Sequence, residues 1–176
     1  MTATGHVFIA TSLDGFIADP DGGIGWLTPY AEMGEDHGYA AFMASVDGLV
    51  MGRKTFETAL GFGGWPFDKP VVVMSRTLAE VPRALQGRVR VSNAAPAGLM
   101  AQLGAEGWRR AYVDGGATIR AFLAAGLVRD MILSRVPVVL GRGLPLFGPE
   151  AAGIRLRHAG TTAFPSGLVQ SRYEVV

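Results

Sequence analysis

Six short apolar or β-branched runs recur along the chain, at His6–Ser12, Gly48–Met51, Pro70–Ser75, Arg88–Ser92, Arg110–Val113 and Arg129–Pro137. This recurrence constrains the fold more than any other feature, because most of these runs are too apolar for a sheet with one face in water. Helical patterns lie between several of them: Asp36–Ser45, with Tyr39, Phe42 and Met43 on one face, then Lys54–Leu60, Ala97–Glu106 and Ala117–Ala125, the last stopped by Gly126. Strands alternating with helices predict an α/β fold with a largely parallel sheet covered on both faces. Near the end the pattern changes. The segments "IRLRHAGTTAF" and "LVQSRYEVV" flank "PSG" with no helix between them, which predicts an antiparallel hairpin closing one sheet edge. No internal repeat, low-complexity tract or linker divides the chain, so one domain over residues 1–176 is expected.

A chain of 176 residues buries a sizeable core without staples. Zero cysteines exclude a disulfide framework and thiolate zinc sites, and the histidines His6, His37 and His158 are too scattered for a local metal motif. A formal charge of +1, from 16 basic and 15 acidic residues, provides no field for a polyanion, so nucleic acid is not an expected partner. The start, "MTATGHVFIATSLDG", has no basic leader and only a short apolar run. It predicts neither signal peptide nor membrane anchor, and a cytoplasmic location is expected.

Chemistry concentrates where the apolar runs end. In "AYVDGGATIRAFLAAGL" a strand, Asp114 and a Gly-Gly turn lead into a helix, a layout that lets phosphate oxygens approach backbone N–H groups at a helix amino end. A tight strand-to-helix turn needing glycine only for its geometry fits the same residues. In "MGRKT", Gly52 ends a strand and Arg53, Lys54 and Thr55 open a helix; in "VMSRT", Ser75 and Arg76 follow another strand. Serine with arginine suits a phosphate monoester, which guanidinium grips in a bidentate fork. Each pair taken alone also fits a surface arginine beside a capping hydroxyl. Three such groups at the ends of successive strands favour a ligand at the carboxyl edge of the sheet. The chain has no GxGxxG after a strand, no GxxxxGK[ST], no GxSxG and no zinc motif, which argues against ordinary dinucleotide folds, P-loop enzymes and α/β-hydrolases.

The segments "FIATSLDGFIADPDGGIGWL", "LVMGRKTFE", "KPVVVMSRT", "YVDGGATIRAFL" and "LSRVPVVLGRGLPLFG", in this order, resemble the dihydrofolate reductase superfamily. The nearest branch is that of the C-terminal reductase domain of bifunctional riboflavin-biosynthesis enzymes, with its stand-alone bacterial relatives. The resemblance spans about His6 to Gly148. It implies a three-layer fold with a mixed sheet of about eight strands flanked by about four helices, binding NADPH in extended form. Ala10 and Ile17 would line the nicotinamide pocket under a mobile loop, Asp14–Trp26. Gly52, Arg53, Lys54 and Thr55 would hold the pyrophosphate and adenosine side, and Ser75 and Arg76 the 2′-phosphate. Gly115, Gly116, Ala117, Thr118 and Ile119 would meet the nicotinamide and pyrophosphate by backbone. The region Leu133–Gly148 helps to build a homodimer in that family, so a dimer is expected.

Hydride transfer asks a protein chiefly to place the acceptor in a dry site and to manage one proton. Folate reductases use a helix carboxylate for the proton, and the corresponding stretch here offers Glu35 and Asp36, with Asp36 the expected substrate-facing acid. An exposed helix-start acid fits "GEDHG" as well. Asp14, in "SLDGF", reads first as a turn residue, and Asp114 as one that orients the Gly-Gly turn. Trp26, Tyr39 and Trp65, with other aromatics, offer a flat slot for a heterocycle or simply core. The expected activity is NADPH-dependent reduction of a pyrimidine- or pterin-like heterocycle, most like 5-amino-6-(5-phosphoribosylamino)uracil reductase. No basic site for that substrate's own phosphate is evident beyond the cofactor arginines. The alternatives are dihydrofolate reduction and non-catalytic NADPH binding.

Overall fold

The structure is a computed structural model describing all residues, 1–176. The apolar runs form the strands β1 (Thr4–Thr11), β3 (Gly48–Gly52), β4 (Val71–Met74), β5 (Val89–Ser92), β6 (Arg110–Asp114) and β7 (Val128–Arg135), and the terminal hairpin supplies β9 (Leu156–Ala163) and β10 (Val169–Val175). Together they make an eight-stranded sheet in the order β5-β4-β3-β6-β1-β7-β10-β9. Neighbours from β5 to β7 run parallel, and β10 joins β7 and β9 antiparallel, so the hairpin closes one edge as expected.

Strand period sorts the core into two layers. Val50 and Val72 face one side, packing with Leu99, Met100 and Leu103 of α4 (Pro96–Ala105) and Ile119 and Phe122 of α5 (Gly116–Ala124). Leu49, Met51, Val71 and Val73 face the other, packing with Phe42 of α2 (Tyr39–Ala44) and Phe56 of α3 (Arg53–Leu60). Each layer removes large apolar side chains from water, worth about 1.5–3 kcal/mol apiece. His6, inside β1 and 1% exposed, is satisfied at both ring nitrogens, by Thr4 Oγ1 and Asp130 at 2.9 Å each.

Three departures from the sequence expectation are local. The helix expected over Asp36–Ser45 begins only at Tyr39, because His37 and Gly38 adopt positive φ (51° and 80°), which no right-handed helix admits. There are five α-helices instead of four; the extra one is a single turn, α1 (Thr28–Ala31), with Pro29 in its first turn. The stretch expected as a loop over Asp14–Trp26 contains a short strand, β2 (Phe16–Ala18), which pairs with β8 (Leu144–Pro145) in a separate two-stranded ribbon. No helix is long and apolar enough to cross a membrane.

Candidate active site

The carboxyl ends of β3, β6 and β1 open onto one cleft of about 1480 Å³. Two helices begin on it. Gly52 leads into α3 with extended backbone, and Gly115 leads into α5 at φ 87°. Neither amino end carries a side-chain cap, so their first-turn N–H groups have no side-chain acceptor. Gly115 is required twice over: its φ favours glycine, and an added Cβ would stand 2.1 Å from Thr55 Oγ1. Gly116 lies under Ile17, whose Cδ1 would be 2.5 Å from a Cβ there. The two helix starts and the β2 ribbon therefore converge closely.

The cations around these helix starts are differently engaged. Arg53 pairs with Glu57 at 2.6 Å and donates to Thr77 Oγ1 at 2.9 Å. Arg120 pairs with Glu150 at 2.6 Å and donates to the Pro145 carbonyl at 2.8 Å, tying α5 to the ribbon that overhangs the cleft. Lys54 lines the cleft and is exposed.

A second group sits deeper. Asp114 ends β6, and its Oδ1 accepts the Gly115 N–H at 2.8 Å. Burial outweighs that hydrogen bond and the Tyr112 hydroxyl, raising the Asp114 carboxyl from 3.8 to about 6. Tyr112 donates to the Phe8 carbonyl at 2.9 Å, and its phenol is pushed far up by burial, then by the Asp114 charge. Tyr39 is raised to about 12 by burial and by the same carboxyl. Two protonated phenols thus flank a carboxyl that titrates near neutrality. Phe8 packs edge-on against Tyr39 at 5.5 Å and forms part of the cleft wall.

The third group joins the cleft to the terminal hairpin. His37 Nε2 lies 3.3 Å from both Glu35 Oε2 and Ser166 Oγ, and its ring packs edge-on against Phe164. Gln170 Nε2 donates to the His37 carbonyl at 3.0 Å and to Ser134 Oγ at 2.9 Å. His37 is the only non-glycine residue at positive φ, and these contacts hold it there.

Of the expected site residues, the cleft brings together Ala10, Ile17, Gly52, Arg53, Lys54, Thr55, Gly115, Gly116, Ala117, Thr118, Asp36 and Tyr39. Ile119 is not among them: its side chain is wholly buried and its N–H donates within the chain to the Gly115 carbonyl at 2.8 Å. Ser75 and Arg76 follow Met74, which does line the cleft, but neither lines it; Ser75 Oγ accepts the Thr77 and Leu78 N–H groups, and Arg76 is exposed. Trp65 belongs to the aromatic core, edge-on to Phe56 and Phe67, and Trp26 does not line the cleft although its neighbours Ile24 and Leu27 do. Asp36 is exposed, and its carboxylate accepts the Ala40 N–H at 3.0 and 3.2 Å, as a helix-start acid does. Sequence reasoning named Glu35 only beside Asp36 and passed over His37 and Ser134 as site residues; the hairpin residues Ser166 and Gln170, more than a hundred residues on from His37, tie the three together. The acid of Asp114 was legible only as a turn residue.

Comparison with known proteins places this chain in a family. Residues 3–170 match the RibD C-terminal domain. The chain belongs to the RibD C-terminal domain family. It is 33% identical over 162 residues, 90% of each chain, to the uncharacterised protein YwjB of Bacillus subtilis. A solved RibD-like relative from Shewanella sp. PV-4, provisionally assigned to riboflavin biosynthesis, superposes with a TM-score of 0.91 at 38% identity, covering 98% of this chain and 99% of that one. The Thermotoga maritima diaminohydroxyphosphoribosylaminopyrimidine deaminase/5-amino-6-(5-phosphoribosylamino)uracil reductase shares the fold, with a TM-score of 0.75 at 13% identity. This chain is covered to 99% in that match but spans only 57% of the bifunctional enzyme. The expected superfamily and its RibD C-terminal branch therefore hold.

Proposed function

We propose that this RibD C-terminal domain protein is an NADPH-dependent reductase of a pyrimidine- or pterin-like heterocycle. The observation that carries the proposal is the convergence of two uncapped helix starts on one cleft beside a carboxyl raised to about 6. The donor set fits an extended dinucleotide: backbone N–H groups of α3 and α5 suit a pyrophosphate, and Lys54 and Arg53 add positive charge. Arg76, exposed two residues past the cleft-lining Met74, would take a 2′-phosphate on the adenosine end. When bound, reduced nicotinamide supplies the hydride.

The chain's own residues do the rest. Ala10 and Ile17 form an apolar wall that keeps water from the reacting face. Asp114 holds a proton at its carboxyl up to about pH 6 and delivers it to the acceptor as that takes up hydride, with Tyr39 and Tyr112 remaining protonated beside it. Asp36, tied to Ala40, shapes the start of α2 and faces the cleft at its rim. The same proposal includes a homodimer built on the outer strands and a place among small-molecule enzymes of the cytoplasm.

NADPH oxidation measured with ribosylaminouracil compounds, pterins and dihydrofolate tests the activity. Turnover on a pyrimidine or non-folate pterin is expected. Turnover on dihydrofolate alone would favour the folate alternative, and tight NADPH binding with no turnover on any of them would leave only a binding protein.

A further inference from the structure

Resting on the reductase assignment, we propose that the acceptor is an aromatic heterocycle that carries no phosphate group. The cleft divides by element. Its arginines and lysine, Arg53, Lys54 and Arg120, all stand on α3 and α5, the helices assigned to the cofactor. The other half lies between the Glu35–Tyr39 stretch and the strands β1, β6 and β7, and no lysine or arginine lines it.

A phosphate monoester brings about 1.5 to 2 negative charges at neutral pH and asks for arginine, lysine or an open helix start. None is free there. The helix start at that end belongs to α2, where the Asp36 carboxylate already takes the Ala40 N–H. The one side chain able to turn positive is His37, and its Nε2 lies against Glu35. Glu35 is held below the usual carboxylate range, first by the Ser166 hydroxyl and then by the Ser166 N–H and His37, so it is anionic at neutral pH. A second anion placed beside it would be repelled.

What this half does offer suits an uncharged flat ring. Ser134 Oγ accepts from Gln170 and keeps its own proton for donation, and Tyr39 stays a phenol. Glu35 Oε1 is left as an acceptor and Asp114 Oδ2 as the oxygen that carries the transferable proton, since their partner oxygens take the hydrogen bonds within the chain. Aromatic walls from Phe8 and Tyr39 flank this set. Donors and acceptors between such walls match a ring bearing both N–H and C=O groups.

The test is a matched pair, 5-amino-6-(ribosylamino)uracil and its 5′-phosphate ester, titrated into the full-length protein saturated with the oxidised cofactor. The unphosphorylated member is expected to bind at least about tenfold more tightly. Glu35→Gln, which keeps size and hydrogen bonding while removing the charge, is expected to narrow that ratio. Equal or tighter binding of the ester, no saturation by the unphosphorylated member, or an unchanged ratio in the variant would overturn the inference. NADPH titrated alone reports on the cofactor assignment separately, so failure of one is distinguishable from failure of the other.

Discussion

Asp114 shows how one side chain serves two demands that pull apart. As the last residue of β6 it steadies the Gly115 turn through its Oδ1, and burial makes its charged form costly. A folded-state value of about 6 against an ordinary 3.8 means that stability from this group is full below pH 3.8 and is lost as pH rises through about 6. The loss amounts to at most about 3 kcal/mol. Asp114→Asn is therefore expected to raise the Tm measured at pH 8, while lowering kcat about 10²–10⁴-fold and removing the fall in kcat of the unaltered enzyme as pH rises through about 6. A Tm that drops with no change in the pH profile would assign Asp114 to the turn alone. The sequence made Asp114 visible as a strand-end residue before two glycines. Its altered acidity comes from burial, which the Tyr112 hydroxyl only partly offsets, and adjacency in the chain does not reveal it.

At the scale of elements, the β2–β8 ribbon depends on a clamp at its base. Ser12 Oγ donates to Asp14 Oδ1 at 2.7 Å, and the N–H groups of Leu140 and Gly141 donate to the same carboxylate at 3.1 and 2.7 Å. The Ser12 hydroxyl first, then these backbone donors, lower Asp14 to about 2. A depressed carboxyl contributes stability that is present above pH 3.8 and is lost only as pH falls through about 2, so the clamp persists over the whole working range. Asp14→Ala is expected to speed amide hydrogen exchange at Leu140 and Gly141, with little change at the core strands β3 and β6; unchanged exchange at those two amides would contradict the clamp. The long strands and α3, α4 and α5 were legible because buried strands and helix faces write their own periods into the sequence. The elements that escaped, α1, β2 and β8, are two to four residues long: β2 and β8 exist through their pairing with each other, and α1 is a single turn that buries no residue. The late start of α2 escaped for a different reason: His37 adopts a left-handed backbone that its neighbours on the hairpin impose.

Across the whole molecule, the sheet is covered unevenly. From β3 to β6 it is buried on both faces, whereas β9 is exposed along nearly its whole length and Leu13, Phe147 and Val169 stand 40–55% exposed nearby. A two-sided strand edge bearing apolar side chains suits association with a second copy. Light scattering is expected to give twice the 18.5 kDa chain mass, and Val169→Glu to shift it toward the monomer; a monomer at all concentrations would contradict the dimer. The cleft at the carboxyl edge of the sheet is where a dinucleotide would lie. Isothermal calorimetry of the purified protein with NADPH tests it most directly. The account predicts saturable binding of one NADPH per chain, and a loss of about 1.5–3 kcal/mol in Arg76→Ala that NADH does not share. No heat of binding from folded protein would contradict it.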